Sequence, residues 1–424
     1  MLQIYAIWLN NSEAKKLSGT IFLDLSAAFD IVDHRILLEK LSVYGFSEHT
    51  LGFFSSYLTN RKQQVQVQSK VSSPRDVGSQ GVPQGSILGP ALFLIFMNDF
   101  PGHSNSGQSI MYADDDTEVV CDSDPDQLQT KLQCQADSAT KWIEENGMLC
   151  SGEKTKLIIA STKEQRNSKL EGRTMHIRVG NNTIMESTDE TLLGIIMSNN
   201  LSWNTYLYGN QKTGNEKILG LIPKLSQRIG MLTKINRYMS QKQFKMMCDG
   251  MFYSTLLYCI PLFTNIWGLP SMDDTMRRSQ AFTKEDCRRL QVIQNKVLRC
   301  KTGKYHYRTP TASLLEDAKD MSIHQIGAYH TLVTVARMLK TQRPEYFARR
   351  LNLRKPSAAG VFPLRQLNTI NVECNLSISR CGFSYRAAKL WNCLPENVRS
   401  ISSMKAFKLD VKKWIAKNIA LKPS

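Results

Sequence analysis

The 424-residue sequence lacks the features of several classes of protein. Its ten cysteines form no Cys-x-x-Cys pair and no Cys/His set at zinc-finger spacing, which excludes these common zinc sites and favours reduced, buried thiols. Residues 1–17 have no long apolar core and no cleavage site, so we expect no signal peptide. The longest apolar runs, 87–97 and 256–263, are broken or too short to span a bilayer. We therefore expect a soluble intracellular protein of the nucleus or cytoplasm, with no membrane partner.

Acidic residues are scarce in the second half of the chain. Residues 1–200 contain 17 lysines and arginines against 24 aspartates and glutamates, whereas residues 201–424 contain 37 against 13. Overall, 42% of the residues are hydrophobic and 21% are charged, which is typical of a globular chain of two or three domains. An acidic first half and a basic second half suggest carboxylate chemistry beside a surface that binds a polyanion. The alternative is that the lysines of the second half only solvate helices.

The stretch Tyr112-Ala113-Asp114-Asp115-Asp116 lies between two short apolar runs. Both runs are rich in strand-forming residues, so we predict two strands joined by a turn that carries the acids. Adjacent carboxylates repel each other, and a hard divalent cation with oxygen ligands would remove that repulsion. The alternative is an acidic turn exposed to solvent.

Two further stretches combine regular structure with unusual polar residues. Residues 20–25 form an apolar run interrupted by Asp24, which is typical of a buried central strand whose carboxylate needs partners or a metal. Residues 78–86 are rich in glycine and precede an apolar helix, so their backbone can approach a ligand closely. Gln84, between Pro83 and Gly85, favours a rigid turn that faces a ligand, and the alternative is an ordinary loop.

The remaining patterns predict an α+β fold. Capping signals and helical periodicity predict helices at 36–44, after the cap Asp33, and at 48–58, 87–97 and 125–145. Alternation and apolar runs predict strands at 63–68, 154–160, 175–179, 183–185 and 192–196. This order suits a sheet with helices packed on one face.

Five segments resemble, in the same order, the motifs of the reverse transcriptase of non-LTR (LINE-type) retrotransposons. The segments are motif A (22–30), motif B (81–90), motif C (112–115), motif D (146–156) and motif E, the primer grip (193–203). The resemblance is close over residues 1–205. Residues 290–299 and 383–394 resemble the rear portions of the same proteins less closely.

The resemblance implies a polymerase palm, which is an antiparallel sheet with helices on one face, together with partial fingers, a helical thumb and a C-terminal extension. We accordingly assign residues 1–204 to palm and fingers, residues 205–304 to the thumb, and residues 305–424 to a basic extension with a loop near 351–380. Only 23 residues precede Asp24, fewer than the fingers region of the family requires. We therefore expect a chain that is truncated at its N-terminus or that starts at an internal methionine.

The resemblance also implies a function. It implies an RNA-directed DNA polymerase that joins dNTPs to the 3′-hydroxyl of a DNA primer on an RNA template. Two Mg²⁺ ions, for which Mn²⁺ is an alternative, would be held by Asp24 and Asp114, with Asp115 assisting beside them. A main-chain carbonyl of Phe22 or Leu25 would complete the ligands. The alternative function is a catalytically inactive remnant that only binds nucleic acid.

Further site residues are implied by the same resemblance. By this resemblance, Phe29 is the bulky residue that a ribose 2′-hydroxyl would strike, Gln84 contacts the incoming nucleotide or the template base, and Gly85 contacts the nucleotide. Lys154 acts as a general acid or as a counter-charge to phosphate. The alternatives are a core phenylalanine at position 29 and a surface lysine at position 154. The primer grip contains Leu193, Gly194 and Trp203.

The basic second half carries two further expectations. Residues 205–300 are helical in pattern, and a thumb that grips a primer–template duplex would bind less tightly as salt rises. A final helical segment at 404–419 either binds RNA or DNA or is a solvated amphipathic helix. The apolar stripe of the first region is Leu290, Ile293, Val297 and Leu298, beside Arg288, Arg289, Lys296 and Arg299. The lysines of the final segment are Lys405, Lys408, Lys412, Lys413 and Lys417.

Overall fold

The computed structural model describes residues 1–104, 107–211, 217–263, 281–351, 353, 369–370 and 382–419. The chain divides into two compact units. The sheet unit is residues 15–190, and the helical unit is residues 1–14, which hold helix α1 (Leu2–Glu13), together with residues 191–424. The three-part division expected from the sequence stays a prediction. The loop predicted near 351–380 lies outside the described residues, apart from positions 351, 353, 369 and 370.

The sheet unit is built around six hydrogen-bonded strands. Along the chain, the described strands of this unit are β1 (Leu17–Asp24), β2 (Lys62–Gln63), β3 (Gln66–Val67), β4 (Lys70–Val71), β5 (Arg75–Asp76), β6 (Gln108–Tyr112), β7 (Asp115–Asp122), β8 (Lys156–Ala160), β9 (His176–Val179) and β10 (Asn182–Ser187). The main sheet has the order β6-β7-β1-β8-β10-β9. Its neighbours are antiparallel except for β8 and β10, which run parallel. The antiparallel sheet expected from the sequence is therefore mixed at this one pair.

Helices cover one face of this sheet. They are α2 (His34–Val43), α3 (Glu48–Leu58), α4 (Leu88–Phe96), α5 (Pro125–Glu145) and α6 (Lys163–Leu170). Side chains alternate along β1, so Leu17, Ile21 and Leu23 enter one core with residues of α2, α4 and α5. Asp24, the next residue after Leu23, therefore points to the opposite face. The predicted α+β class, with helices on one face of a sheet, is confirmed.

Local capping explains why these helices begin where they do. The Asp33 carboxylate accepts a hydrogen bond from the backbone N–H of Ile36 at 3.0 Å, as predicted for the start of α2. Ser47 caps α3, and Asp124 caps α5 directly before Pro125. Helices α3 and α5 have the bounds that the sequence predicts.

Three predicted strands differ from the observed ones. Residues 63–68 do not form one strand, because β2 pairs with β5 and β3 pairs with β4 as separate exposed two-residue ladders. The strand predicted at 154–160 begins only at Lys156, which leaves Lys154 in the preceding loop. The strand predicted at 192–196 is interrupted by a turn at Leu193 and Gly194, which have φ angles of +48° and +78°, so Leu192 ends one short strand and Ile195 begins the next.

The helical unit begins, after α1, where that turn joins two short strands. The described elements are β11 (Asp189–Leu192), which starts in the sheet unit, β12 (Ile195–Ser198), α7 (Asn204–Tyr208), β13 (Gly209–Gln211), β14 (Lys217–Leu219), α8 (Leu221–Ile235), α9 (Gln241–Cys248), a π-helical turn (Asp249–Tyr253), α10 (Ser254–Leu257), α11 (Ile260–Phe263), α12 (Lys284–Thr302), α13 (Thr311–Ala318), α14 (Ile323–Thr341), α15 (Glu345–Ala348), α16 (Phe383–Asn392), α17 (Glu396–Arg399) and α18 (Met404–Asn418). The predicted apolar stripe of α12 is buried at Leu290, Ile293, Val297 and Leu298. Arg288 and Arg289 both pair with Glu285, so part of their charge is neutralised within the helix.

The end of the helical unit has a core of its own. Helices α14, α16 and α18 contribute Leu332, Trp391 and Phe407 to one apolar cluster. This burial accounts for the periodic apolar residues that predict helices in the C-terminal region. Within the described ranges, no helix combines the length and the apolar character needed to cross a bilayer.

Candidate active site

A tight hairpin presents the adjacent aspartates. Tyr112 at the end of β6 pairs with Asp115 at the start of β7, so Ala113 and Asp114 alone form the turn. Ala113 has a φ of +56°, a left-handed conformation that a residue with a Cβ seldom adopts and that costs about 1 kcal/mol or more. The hairpin thereby holds Asp114 at its exposed tip.

The sheet register brings Asp24 to this tip. Asp24 at the end of β1 is the direct cross-strand partner of Asp115. Directly opposed residues of an antiparallel pair point to the same face, so the two carboxylates lie together on the face away from the core helices. Residues that are about 90 positions apart in the sequence are therefore neighbours in space.

The three carboxylates influence one another electrostatically. Partial burial raises the pKa of Asp115, and the negative charges of Asp114 and Asp24 raise it further. A cation between these groups would favour their ionised forms and offset the repulsion. The hairpin therefore has the electrostatic character of a site for a positive ion.

The donor chemistry fits a hard divalent metal. Carboxylate oxygens are the ligands that Mg²⁺ prefers, and Mg²⁺ is usually held by one or two carboxylates together with water and substrate phosphates. Among the described residues, however, no three acidic, histidine or cysteine side chains are gathered closely enough to hold a metal ion by themselves. The assignment of Asp24, Asp114 and Asp115 to a metal site therefore stays a prediction.

The loop before β8 brings Lys154 to Asp24. The N–H of Ser151 donates to the carbonyl of Asp24 at 2.8 Å, and the N–H of Ser26 donates to the carbonyl of Leu149 at 2.8 Å. These bonds fix the loop against the end of β1. The Lys154 Nζ lies 3.5 Å from the Asp24 Oδ1, and the lysine side chain remains 67% exposed. Lys154 is therefore a surface lysine whose amine faces the carboxylate cluster.

The glycine-rich segment packs against the turn that follows β1. The N–H of Val82 donates to the carbonyl of Phe29 at 2.8 Å, and a Cβ on Gly81 would lie only 2.9 Å from the carbonyl oxygen of Asp30. The Gln84 Nε2 donates to the Asp30 Oδ1 at 2.8 Å. Asp30, the last residue of motif A, thus orients Gln84. No local signal identifies this contact, because the two residues lie 54 positions apart.

Phe29 and Gly85 complete this part of the site. Phe29 is half-buried and stacks on Phe93 of α4 with a centroid separation of 4.2 Å. Packing therefore fixes its ring, although part of the ring remains accessible. Gly85 is exposed and adopts a φ of +81°, and a Cβ at that position would meet no atom within 4 Å. Its backbone is consequently open to a ligand.

The predicted primer-grip residues lie in the helical unit and differ in exposure. Leu193 and Gly194 form an accessible turn, where the hydroxyl of Tyr258 donates to the carbonyl of Leu193 at 2.5 Å. Trp203 is only 5% exposed and contacts the rings of Tyr5, Tyr206 and Phe263. Trp203 is therefore a packing residue, and its part in a primer grip stays a prediction.

Behind the hairpin lies a buried acidic pair that the sequence does not predict. Asp116 and Glu118 on β7 point toward α5 and are 2% and 0% exposed. The Gln135 Nε2 donates to the Glu118 Oε2 at 2.7 Å, and the His103 Nε2 lies 3.3 Å from the Glu118 Oε1. Burial, followed by the negative charge of the neighbouring Glu118, raises the pKa of Asp116 well above its usual value. Burial is the largest single effect on the pKa of His103 and would lower it, but the hydrogen bonds to Glu118 and to the Phe100 carbonyl, together with the charge of Glu118, raise that pKa overall.

Comparisons with known proteins bear on residues of this site. Residues 4–197 match the family model described as reverse transcriptase (RNA-dependent DNA polymerase). The chain is 40% identical over 87 residues to the probable RNA-directed DNA polymerase from transposon BS of Drosophila melanogaster, covering 20% of this chain and 9% of that protein. It is 28% identical over 267 residues to the RNA-directed DNA polymerase from mobile element jockey of Drosophila funebris, covering 60% of this chain and 27% of that protein.

A solved structure is also similar. It is that of telomerase from Candida tropicalis in complex with a fragment of telomeric RNA, with 12% identity and a TM-score of 0.37. The match covers 98% of this chain and 52% of the telomerase chain. The matches to the two Drosophila proteins span about a quarter of the length of those relatives or less.

Proposed function

Residues 4–197 match the reverse transcriptase family, with relatives among the RNA-directed DNA polymerases of non-LTR retrotransposons, and from this premise we propose that the chain extends a DNA primer on an RNA template. The resemblance inferred from the five motifs is confirmed at the level of the family. The observation that carries the proposal is the pairing of Asp24 with Asp115 beside Asp114. This pairing joins motif A to motif C on one face of the sheet, as nucleotidyl transfer at a single site requires.

The carboxylates provide the metal-binding part of the proposed site. Asp24 and Asp114 would hold two Mg²⁺ ions, and Asp115 would assist beside them. When bound, these ions would act as Lewis acids on the primer 3′-hydroxyl and on the pyrophosphate leaving group. The raised pKa of Asp115, caused by burial and by the charges of Asp114 and Asp24, supports this assignment because it reflects repulsion that a cation would offset.

The turn after β1 and the glycine-rich segment would receive the nucleotide. The ring of Phe29, held by its stack on Phe93, would exclude a ribose 2′-hydroxyl and so favour dNTPs. Gln84 can both donate and accept hydrogen bonds, and Asp30 orients its amide toward one position. The open backbone at Gly85 allows close approach of a base or sugar.

Lys154 has two candidate roles in this reaction. Its amine lies 3.5 Å from the Asp24 carboxylate and is exposed on the far side to an incoming substrate. As a general acid it would protonate the leaving pyrophosphate, and as a counter-charge it would only stabilise the negative phosphates. Both roles require the fixed loop between Ser151 and β8.

Primer extension tests the proposal. The wild-type chain, an RNA template, a DNA primer, dNTPs and Mg²⁺ are expected to yield extended DNA. Asp114→Ala is expected to reduce the rate roughly a thousandfold or more, because a metal stabilises transition-state charge by several kcal/mol. Asp76→Asn is the control, since Asp76 is an exposed aspartate of the same unit whose side chain is 78% accessible.

The second candidate function is binding of nucleic acid without catalysis. It is favoured by the excess of 24 positive charges in residues 201–424, from 37 basic minus 13 acidic residues. In that case the wild-type chain binds the primer–template without extending it, and Asp114→Ala binds equally well. Extension by the wild type that survives in Asp114→Ala would contradict both the site and the proposal.

A further inference from the structure

Two short exposed segments lie together at one end of the helical unit. Helices α8 and α12 end side by side, where the Thr233 Oγ1 lies 3.8 Å from the Cys300 Sγ. The segment Asn236–Tyr238 follows α8, and residues 303–308 follow α12. The Asn236 Nδ2 donates to the hydroxyl of Tyr305 at 2.9 Å, so both segments belong to the same surface.

Three tyrosines of this surface are unusually exposed. Tyr238 is 74% exposed, Tyr305 60% and Tyr307 71%. In the part of the chain that the structure describes, only one other aromatic side chain reaches 60%, and that residue, Tyr112, is in the candidate active site. Large aromatic rings that are grouped on a surface commonly mark a binding site.

Arginines accompany two of these rings. The guanidinium carbon of Arg237 lies 4.7 Å from the ring centroid of Tyr238, and that of Arg308 lies 5.3 Å from the ring centroid of Tyr307. The Arg308 Nε also donates to the hydroxyl of Tyr307 at 2.8 Å. Tyr238 and Tyr307 therefore each have a cation beside the ring. We call Tyr238, Tyr305 and Tyr307, with Arg237 and Arg308, the tyrosine surface.

The composition of this surface distinguishes a nucleic-acid partner from a protein partner. Residues 304–308 are Lys, Tyr, His, Tyr and Arg, with no acidic and no aliphatic side chain. An interface with a protein would need an apolar centre. Stacking of bases needs only aromatic faces, with cations for the phosphates. Paired bases in a duplex cannot offer their faces to side chains, so the partner must be unpaired.

We propose that the tyrosine surface binds a single strand of RNA or DNA, with unpaired bases stacked on Tyr238 and Tyr307 and phosphates near Arg237 and Arg308. This site goes beyond the proposed polymerase function, because it lies on the helical unit and needs no catalysis. It provides a second contact for a strand, independent of the carboxylates.

The test measures binding of a fluorescein-labelled, unstructured RNA oligonucleotide. It also measures binding of single-stranded DNA with the same sequence and of a blunt-ended DNA duplex of that sequence. The full chain is compared with the double variant Tyr238→Leu/Tyr307→Leu and with Tyr238→Phe/Tyr307→Phe. Stacking contributes about 1–3 kcal/mol per base, so the leucine variant should bind single strands at least about tenfold more weakly. The phenylalanine variant keeps the rings and should stay within about twofold of wild type, since it loses no stacking.

Three controls make the result specific. Tyr44→Leu removes an exposed tyrosine, 40% accessible, from the sheet unit and should leave binding unchanged. The binding assay contains no dNTPs and no Mg²⁺, so a failure of the polymerase proposal leaves this test intact. Arg237→Gln and Arg308→Gln should each lower the slope of log affinity against log salt by about one, as expected for the loss of one phosphate contact.

The pattern of binding across the three ligands decides whether the tyrosine surface binds a single strand. A loss confined to single strands supports the proposal, and the strand that loses more affinity is the preferred ligand. The proposal is wrong if the leucine variant binds single strands like wild type, or if the phenylalanine variant loses as much as the leucine variant. An equal loss on the duplex would also overturn it, because paired bases cannot stack on the tyrosine rings. Wild-type protein that binds no single strand would instead favour a protein partner.

Discussion

In the sheet unit, the acidic side chains of the site lie on one hairpin and the strand beside it, whereas the basic side chains of the helical unit are spread along several helices. Asp24, Asp114 and Asp115 are placed by strand register, and each has one position in the site. The lysines of α18 lie along a helix whose apolar side is buried, and four of the five are exposed; at a phosphate backbone one such cation could replace another.

This difference determines how each unit should respond to mutation. A group fixed by register in a partly buried site cannot be replaced by a neighbour, so its loss is expected to have a large effect. Exposed cations are screened by salt and are redundant, so each should contribute little. Single substitutions should therefore have large effects in the sheet unit and small effects among the cations of the helical unit.

The largest effect is expected behind the hairpin, at Glu118. Glu118→Ala leaves His103 and Gln135 buried without their partner, and breaking a buried charged pair in this way costs about 3–5 kcal/mol. Hydrogen exchange measured on peptides from β7 should reveal faster opening by a corresponding factor. Glu144→Ala, an exposed glutamate on α5, is the matched control and should leave β7 unchanged. Similar protection of β7 in both variants would mean that the buried pair contributes nothing to the hairpin.

A smaller effect is expected for Lys154 in primer extension. Lys154→Gln should lower kcat about a hundredfold if the lysine protonates the leaving group, since general acids contribute about 10²–10⁴-fold. Lys154→Arg separates the two candidate roles, because arginine keeps the charge but does not release its proton. Rescue by arginine would establish a counter-charge and exclude the proton donor. An unchanged kcat in Lys154→Gln would exclude both catalytic roles and would make Lys154 an ordinary surface lysine.

The sequence predicts elements whose signals are local. Helix α5 has the predicted bounds because Asp124 and Pro125 start it and Gly147, with a φ of +66°, follows its end. Residues 63–68 alternate as a strand should, yet they form two short ladders because the pairing segments β4 and β5 have only two residues each. The length of the segment with which a strand pairs cannot be predicted from the sequence of the strand itself.

Some features of the candidate site could likewise be predicted from the sequence, and others could not. The order of the motifs implies that Asp24 and Asp114 meet, and the register brings Asp24 beside the hairpin. The burial of Asp116 and Glu118 could not be predicted, because an acidic run indicates an exposed turn until its distant partners are known. Those partners, Gln135 and His103, lie on other segments and carry no signal of their own.

Asp116→Asn tests this buried acid through the pH dependence of stability. A folded-state pKa above the usual value of 3.8 means that folding takes up a proton, so the free energy of unfolding falls as pH rises above 3.8 toward the folded-state pKa. An amide imitates the neutral acid and does not titrate. The variant should therefore be more stable than wild type by about 1–3 kcal/mol at neutral pH and about equal to it near pH 4. Equal pH dependence in the two proteins, measured by hydrogen exchange of β7, would contradict a raised pKa of Asp116.

The smallest effect is expected on the helical unit, at Lys412 of α18. Lys412→Gln should weaken binding to an RNA–DNA duplex less than about threefold, because neighbouring lysines still neutralise the phosphates. The slope of log affinity against log salt should fall by about one if Lys412 contacts a phosphate. Lys413 is the matched comparison, since it already pairs with Asp410 at 3.3 Å and should alter the slope less. A slope that neither substitution changes would make α18 a solvated helix, and the basic residues that hold the duplex would then have to lie elsewhere on the chain.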